Sequence, residues 1–139
     1  MDNTYIHKGR TFGKKEKLCS QIAIDSLFSQ SESFISYPLR VVYIIKDESD
    51  IQNQLAKIMV SVSKKKFKRA VKRNRIKRLI REAYRLNKAS LAMHLQNKGK
   101  GMNIAFLYLN NELPKYEDIE KAMLKAIKII LQKMEGSGQ

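Results

Sequence analysis

One cationic segment, Lys64–Lys88, holds the side chains whose types and spacing point most directly to chemistry. It contains 13 lysines and arginines and a single acid, Glu82, for a net charge of +12. The other 114 residues carry 15 basic and 12 acidic side chains, a net charge of +3. Like charges at this density repel one another unless a polyanion neutralises them. The distribution therefore predicts a protein that binds nucleic acid or another polyanion.

Helical periodicity divides this segment into two parts. Between Ile76 and Leu86 the apolar residues fall on one helical face, which we expect to pack on a sheet. The opposite face is predicted to carry Asn74, Lys77, Arg78, Arg81, Arg85 and Lys88. Arg69, Lys72 and Arg73 are out of phase with this division, so we expect them at the helix start or in the loop before it. A helix N-terminus flanked by cations is a favourable site for phosphate.

A solvated surface and a membrane surface both fit the charge pattern less well than a polyanion does. A helix face that only meets solvent usually mixes charges, because opposite charges at i and i+4 attract each other. A basic amphipathic helix can also lie on a membrane, but here the apolar face is needed by the sheet. Polyanion binding is therefore favoured, and arginine's planar guanidinium suits phosphate better than lysine's point charge does.

The sequence shows no constellation of catalytic or metal-binding residues. The two histidines, His7 and His94, have no cysteine or carboxylate pattern of metal-ligand spacing around them. The single cysteine, Cys19, lacks a nucleophile motif, and Gly99–Gly101 lacks the spacing of a phosphate-binding loop. We therefore predict no catalytic residue and no protein-bound metal, and expect a partner to supply any chemistry.

The whole chain is predicted to form one α+β domain over residues 1–139, with a basic N-terminal extension (1–17) and a frayed tail (135–139). The predicted elements are a helix over Ser20–Phe28, strands over Ser33–Ser36, Leu39–Ile45 and Lys57–Ser63, the basic helix, a glycine-containing loop, a strand over Asn103–Leu109 and a helix after Pro114. No apolar run approaches the roughly 20 residues needed to span a bilayer. The first residues also lack an apolar signal-peptide core, so we expect a cytoplasmic protein.

The stretch "SVSKK" followed by "AVKRNRIKRLIREAYR" resembles the signature of the bacterial ribonuclease P protein subunit. It joins a strand ending in Ser-Lys-Lys to an Arg-Asn-Arg triplet and further cations in the same register. The resemblance implies an α-β sandwich with a four-stranded sheet, in the order α-β-β-β-α-β-α. It also implies a left-handed βαβ crossover, as in the fold named after the second domain of a small-subunit ribosomal protein.

The same resemblance implies a function. The protein would bind the catalytic RNA of ribonuclease P and hold the 5′ leader of precursor tRNA in a cleft between the sheet and the first helix. The holoenzyme would be an endoribonuclease that hydrolyses a phosphodiester and releases mature tRNA 5′ ends. Its catalytic centre and its Mg²⁺ would belong mainly to the RNA. Precursor tRNA and the catalytic RNA would be the partners, with no DNA or membrane partner.

Particular residues carry the implied roles. The RNA-binding set is Lys64, Lys65, Arg69, Arg73, Asn74, Arg75, Lys77, Arg78 and Arg81, and the leader cleft is assigned Ile24, Phe28, Tyr43 and Ser61. For Phe28, core packing and stacking on a leader base are both open. The sequence departs from the family pattern at Ile24, where an aromatic is common, and at Met59, where a glycine is common. A loop over Leu91–Met102 is expected to be longer than usual.

Two rival functions are open. The chain could be a non-catalytic RNA-binding protein of the ribosomal or nucleoid type, which would leave precursor tRNA processing unchanged. It could also be a nuclease by itself, although the missing carboxylate or histidine cluster speaks against this.

Overall fold

A computed structural model describes residues 17–18, 21–29, 31–47 and 56–137 of the chain. Its elements in chain order are α1 (Gln21–Ser29), β1 (Glu32–Ser36), β2 (Leu39–Asp47), β3 (Ala56–Ser61), α2 (Ala70–Asn87), α3 (Ala89–Lys98), β4 (Lys100–Tyr108) and α4 (Tyr116–Ser137). The α+β class and the four-stranded sheet predicted from the sequence are confirmed.

The sheet has the strand order β1-β2-β4-β3. The β1–β2 and β2–β4 pairs are antiparallel, whereas β3 runs parallel to β4. A parallel pair needs a long crossover connection, and here the chain between β3 and β4 forms α2 and α3. β4 lies inside the sheet and is covered on both faces, which explains why its sequence is a continuous apolar run.

The two faces of the sheet carry different layers. Successive strand residues point to opposite faces, so Val41 and Ile58 lie in the large core that α2, α3 and α4 complete. Val42 and Ala105 point the other way and form a small cluster with Leu18 and with Leu27 of α1. The basic helix and the first helix therefore lie on opposite faces of one sheet.

The predicted loop over Leu91–Met102 is wrong. Residues Ala89–Lys98 form α3, which packs through the fully buried Leu91 and Leu95, and β4 begins already at Lys100. Two leucines four residues apart give a short apolar stripe, and a helix buries such a stripe well. Gly99 follows α3 with a φ of 64°, the left-handed conformation that glycine adopts at helix ends. The glycines therefore mark one tight turn between two regular elements.

The termini also differ from the prediction. α4 continues to Ser137, so a frayed tail does not begin at residue 135. At the other end, the amide of Leu18 donates a 2.8 Å hydrogen bond to the Ile58 carbonyl, so Lys17–Leu18 pairs with the free edge of β3. Residues 1–16, Cys19 and Ser20 lie outside the described residues. None of the described helices has the length and apolar content needed to span a membrane.

Candidate nucleic-acid interface

The start of α2 gathers the out-of-phase cations, as the helical phase predicted. Arg69 is the N-cap residue, with an extended backbone and no side-chain cap hydrogen bond, and the first turn contains no acid. Lys72 and Arg73 lie in this turn, and their amides donate to the Arg69 carbonyl at 3.1 and 3.3 Å. Acidic side chains normally favour a helix N-terminus. Cations there instead create a positive helix end that suits a phosphate.

A tight turn leads from β3 into α2 and displays three consecutive lysines. The Ser63 hydroxyl accepts hydrogen bonds from the amides of Lys65 and Lys66, at 3.1 and 3.4 Å. Lys64 and Lys65 are exposed, whereas the Lys66 ammonium donates to the Leu109 carbonyl. The turn is anchored by Phe67, whose buried ring packs beside Tyr108. Lys64 and Lys65 are therefore held at the surface by a well-ordered backbone.

Arg73 supports this turn directly. Its Nη1 atom donates to the carbonyls of Phe67 and Lys68 at 2.8 and 2.9 Å. Arg73 is only partly exposed, unlike the neighbouring Asn74. Arg73 thus positions the backbone between β3 and α2, and its remaining guanidinium N–H groups are the only ones left for a phosphate.

The outer face of α2, defined here as Asn74, Arg75, Lys77, Arg78 and Arg81, is opposite its buried face. Ile76, Ile80, Ala83 and Tyr84 are buried against the sheet and α4. Asn74, Arg75 and Arg78 are exposed, and Lys77 and Arg81 are partly exposed. A shallow groove of about 390 Å³ lies on this side and is lined by Asn74, Arg78, Arg81, Glu82 and Arg85. The predicted amphipathic division is confirmed for this part of the helix.

The predicted cationic face does not extend to the end of α2. Arg85 donates from Nε and Nη2 to the two carboxylate oxygens of Glu82, at 3.1 and 2.7 Å. This hydrogen bond from Arg85 lowers the pKa of Glu82, so the carboxylate stays charged and cancels the charge of Arg85. Lys88 is only 6% exposed and belongs to the junction with α3. The prediction that Arg85 and Lys88 belong to an uninterrupted cationic face is therefore wrong.

A cleft borders α1 on the other face of the sheet. Leu27 is fully buried and fixes the helix to Val42 and Ala105. The next residue, Phe28, leaves 48% of its surface exposed, so core packing does not account for its ring. Ile24, at the position expected to be aromatic, is partly buried against the same cluster. Phe28 is thus the aromatic surface that α1 offers beside the sheet.

The floor on this side is formed by alternate residues of the two parallel strands. Ser61 and Met59 of β3 pair with Leu107 and Ala105 of β4 and share their face. Ser61, Met59 and Leu107 are partly exposed. The placement expected for Ser61, on the face that carries α1, agrees with the structure.

Tyr43 does not line this cleft, which contradicts the role assigned to it. It is 2% exposed and belongs to the large core on the opposite face, edge-on to Phe34. Its hydroxyl donates to Glu32 Oε1 at 3.3 Å. Burial, with the Glu32 carboxylate nearby, raises the pKa of Tyr43 to about 12. Because strand residues alternate between faces, its neighbours Val42 and Ile44 point toward α1 instead.

The alternation also reveals an arginine that the sequence reasoning missed. Arg40 shares the face of Val42 and is exposed, and its Nη2 lies 3.5 Å from the Ser33 hydroxyl of β1. Ile35 pairs with Arg40 and is exposed on the same face. The period-two pattern of β2 could have identified Arg40 as a cation on the cleft side of the sheet.

Comparisons with known proteins agree with this geometry. A family model described as Ribonuclease P matches residues 12–131. The chain is 45% identical over 119 residues to the ribonuclease P protein component of Porphyromonas gingivalis, covering 84% of this chain and 85% of that protein. It is 36% identical over 116 residues to the corresponding protein of Clostridium botulinum, covering 83% and 94%.

Solved structures show the same fold. The Staphylococcus aureus RNase P protein superposes with a TM-score of 0.63 at 20% identity, covering 83% of this chain and 94% of that chain. The protein from Thermotoga maritima gives a TM-score of 0.64 at 19% identity, covering 82% and 96%.

Proposed function

The chain belongs to the ribonuclease P protein family, and from that premise we propose that it binds two RNAs at once. The outer face of α2 and the lysine turn before it would hold the catalytic RNA. The cleft beside α1 would hold the 5′ leader of precursor tRNA. The chain would thereby assist an endoribonuclease that releases mature tRNA 5′ ends.

The observation that carries the first contact is the unmixed charge of the outer face. Arg75, Lys77, Arg78 and Arg81 take part in no ion pair with any residue that the structure describes. Each phosphate that such a cation neutralises releases condensed counterions, which favours binding and makes it salt-dependent. Arginine can also bind a phosphate through two parallel hydrogen bonds.

The leader contact is supported by Phe28. A half-exposed aromatic ring at the edge of a cleft provides a stacking surface for an unpaired base, which is worth about 1–3 kcal/mol per base. Arg40, on the same side of the sheet, would meet the leader backbone. Ser61 and Ile24 would contribute the polar and apolar walls between them.

The contribution of this chain to the reaction would be positional and electrostatic. Its cations would screen the repulsion between the two RNAs, and the cleft would fix the leader so that the scissile phosphate is presented to the catalytic RNA. Mg²⁺ prefers carboxylate and phosphate oxygens. Residues 17–18, 21–29, 31–47 and 56–137 contain no group of three or more His, Cys, Asp or Glu that could hold a metal ion. These residues do not fit a Mg²⁺ site, so we assign the metal to the RNA.

A cleavage assay with three arms tests the function. Precursor tRNA is incubated with a bacterial ribonuclease P RNA, with this protein, and with both. We expect the protein alone to leave precursor tRNA intact and the mixture to cleave faster than the RNA alone at the same low Mg²⁺. Cleavage by the protein alone would indicate a nuclease. RNA binding without faster cleavage would indicate a ribosomal- or nucleoid-type protein. A single domain over residues 1–139, a cytoplasmic location and the lack of a DNA partner stay predictions.

Replacing Arg73 by alanine should affect both stability and RNA binding. The substitution removes the two hydrogen bonds to the Phe67 and Lys68 carbonyls, at an expected cost of about 1–3 kcal/mol in the free energy of unfolding. Looser lysines in the turn would also weaken RNA binding. Denaturant unfolding and RNA titration of the same sample measure both effects. Arg75→Ala is the matched control, since Arg75 is exposed, and it should weaken binding without loss of stability. Equal stability of the two variants would contradict a supporting role for Arg73.

A further inference from the structure

A second cavity lies away from both RNA-binding surfaces described above. It has a volume of about 540 Å³ and opens where the β1–β2 turn, the end of β4 and the first turns of α4 meet. Its walls include Tyr37, Tyr108, Glu112, Asp118, Lys121 and Lys125. Ser36 and Tyr108 point to the face that α4 covers, so the cavity belongs to the side of the sheet opposite α1. Its size falls in the range of cavities that hold small ligands or single nucleotides.

The walls of this cavity are held in place by hydrogen bonds across its three elements. These run from Ser36 Oγ to the Ala122 carbonyl (2.8 Å), from the Leu109 amide to the Pro38 carbonyl (2.8 Å) and from the Tyr108 hydroxyl to the Glu112 carbonyl (2.6 Å). The first joins β1 to α4, the second joins the end of β4 to the β1–β2 turn, and the third fixes the loop before α4. A ligand would therefore meet a preformed shape, which reduces the ordering cost of binding.

Tyr37 gives the cavity an aromatic surface. It is 64% exposed, although it sits among the residues that pack the end of the sheet. Burial, then the nearby Tyr37, Asp118 and Glu112, raise the pKa of Tyr108 to about 12, which places these groups around one phenol. An exposed aromatic ring stacks on any nucleobase, because every base has a π-face.

Two lysines of α4 supply positive charge at the same opening. Lys121 and Lys125 are one helical turn apart and exposed, and neither takes part in an ion pair with any residue that the structure describes. Their ammonium groups are mobile point charges of the kind that bind phosphate. The carboxylates of Glu112 and Asp118 lie on the other wall, where they would accept hydrogen bonds from a base amino group but would repel a phosphate.

We propose that this cavity binds one unpaired nucleotide of an RNA, with its base on Tyr37 and its phosphate at Lys121 and Lys125. The proposal rests on the proposed function, since it adds a third contact to the same assembly. It would extend RNA binding to the face of the sheet opposite the leader cleft. The occupant is a segment of the catalytic RNA or of precursor tRNA, both of which contain unpaired nucleotides.

The test uses the holoenzyme reconstituted with ribonuclease P RNA and precursor tRNA. Tyr37→Ala should weaken binding of one of the two RNAs by about tenfold, whereas Tyr37→Phe keeps the ring and should bind like the wild type. The double variant Lys121→Ala with Lys125→Ala should lower the salt slope of that binding by about one to two. The control pair Lys98→Ala with Lys128→Ala removes the same charge from outside the cavity and should change the slope less.

Ultraviolet cross-linking of the wild-type holoenzyme provides a readout that needs no variant to fold. We expect RNA attached to the peptide that contains Tyr37. Wild-type affinities for both RNAs in Tyr37→Ala and in the lysine pair, together with no cross-link at Tyr37, would overturn the proposal. So would binding of AMP alone at Tyr37 without an RNA cross-link. In either case faster cleavage by the wild-type protein would leave the proposed function standing, whereas no effect on cleavage would refute that function itself.

Discussion

Replacing Arg78 and Arg81 together by alanine is expected to weaken binding of ribonuclease P RNA by on the order of a hundredfold. Both side chains line the groove on the outer face of α2 and take part in no ion pair with the described residues. A hydrogen bond to a charged group is worth about 1.5–3 kcal/mol, and two lost contacts give this change in affinity. The salt slope of binding should also fall by about one per arginine. Titration of the RNA at several salt concentrations measures both quantities.

Fold stability should not change with this variant. Neither side chain belongs to the core, and surface substitutions usually alter the free energy of unfolding by less than about 0.5 kcal/mol. A companion change should act in the opposite direction. Glu82→Gln removes the one acid of the segment and releases Arg85 from its ion pair, so RNA binding should strengthen by about twofold to fivefold. An unchanged salt slope in the double arginine variant would show that these cations face only solvent.

The second large effect separates two aromatic residues that the sequence placed in one cleft. Tyr43→Ala should lower the free energy of unfolding by about 3–5 kcal/mol, because it empties a buried ring position in the large core. That is a large share of the roughly 5–15 kcal/mol that stabilises a domain. Tyr43→Phe keeps the ring and loses only the hydrogen bond to Glu32. It should therefore unfold close to the wild type.

Phe28→Ala should show the reverse pattern. Since about half of the side chain is exposed, the free energy of unfolding should fall by only about 1 kcal/mol. Affinity of the holoenzyme for precursor tRNA should fall by about tenfold through lost stacking, and affinity for tRNA without a leader should stay the same. Phe28→Tyr is the control that keeps a ring. Equal loss for both tRNA forms would place Phe28 outside the leader cleft.

The sequence predicted the features that depend on local periodicity. The apolar stripe of α2 and the position of Arg69 and Lys72 at its start follow from helical phase, which holds wherever one helix packs on one sheet. The resemblance then supplied the family, because the order of Arg73, Asn74 and Arg75 after a Ser-Lys-Lys strand end is specific.

The errors arose where a residue's environment depends on another element. Tyr43 was matched by residue type, but a shift of one residue along a strand reverses the face on which a side chain lies. The partner strands fix that register, and a sequence pattern in β2 alone does not. The neutralisation of Arg85 needed the geometry of its pair with Glu82. The helix α3 was hidden because Gly99 and Gly101 drew attention to a loop, although Leu91 and Leu95 had helical spacing.

The most direct test of the proposed role is the Mg²⁺ dependence of leader removal. Precursor tRNA is cleaved by ribonuclease P RNA alone, with the wild-type protein and with the Arg78→Ala, Arg81→Ala variant, over a series of Mg²⁺ concentrations. If the protein screens the repulsion between the two RNAs, the wild-type protein should lower the Mg²⁺ concentration for half-maximal cleavage, and the variant should lose most of this effect. The same Mg²⁺ requirement with and without the wild-type protein would contradict a role in ribonuclease P cleavage.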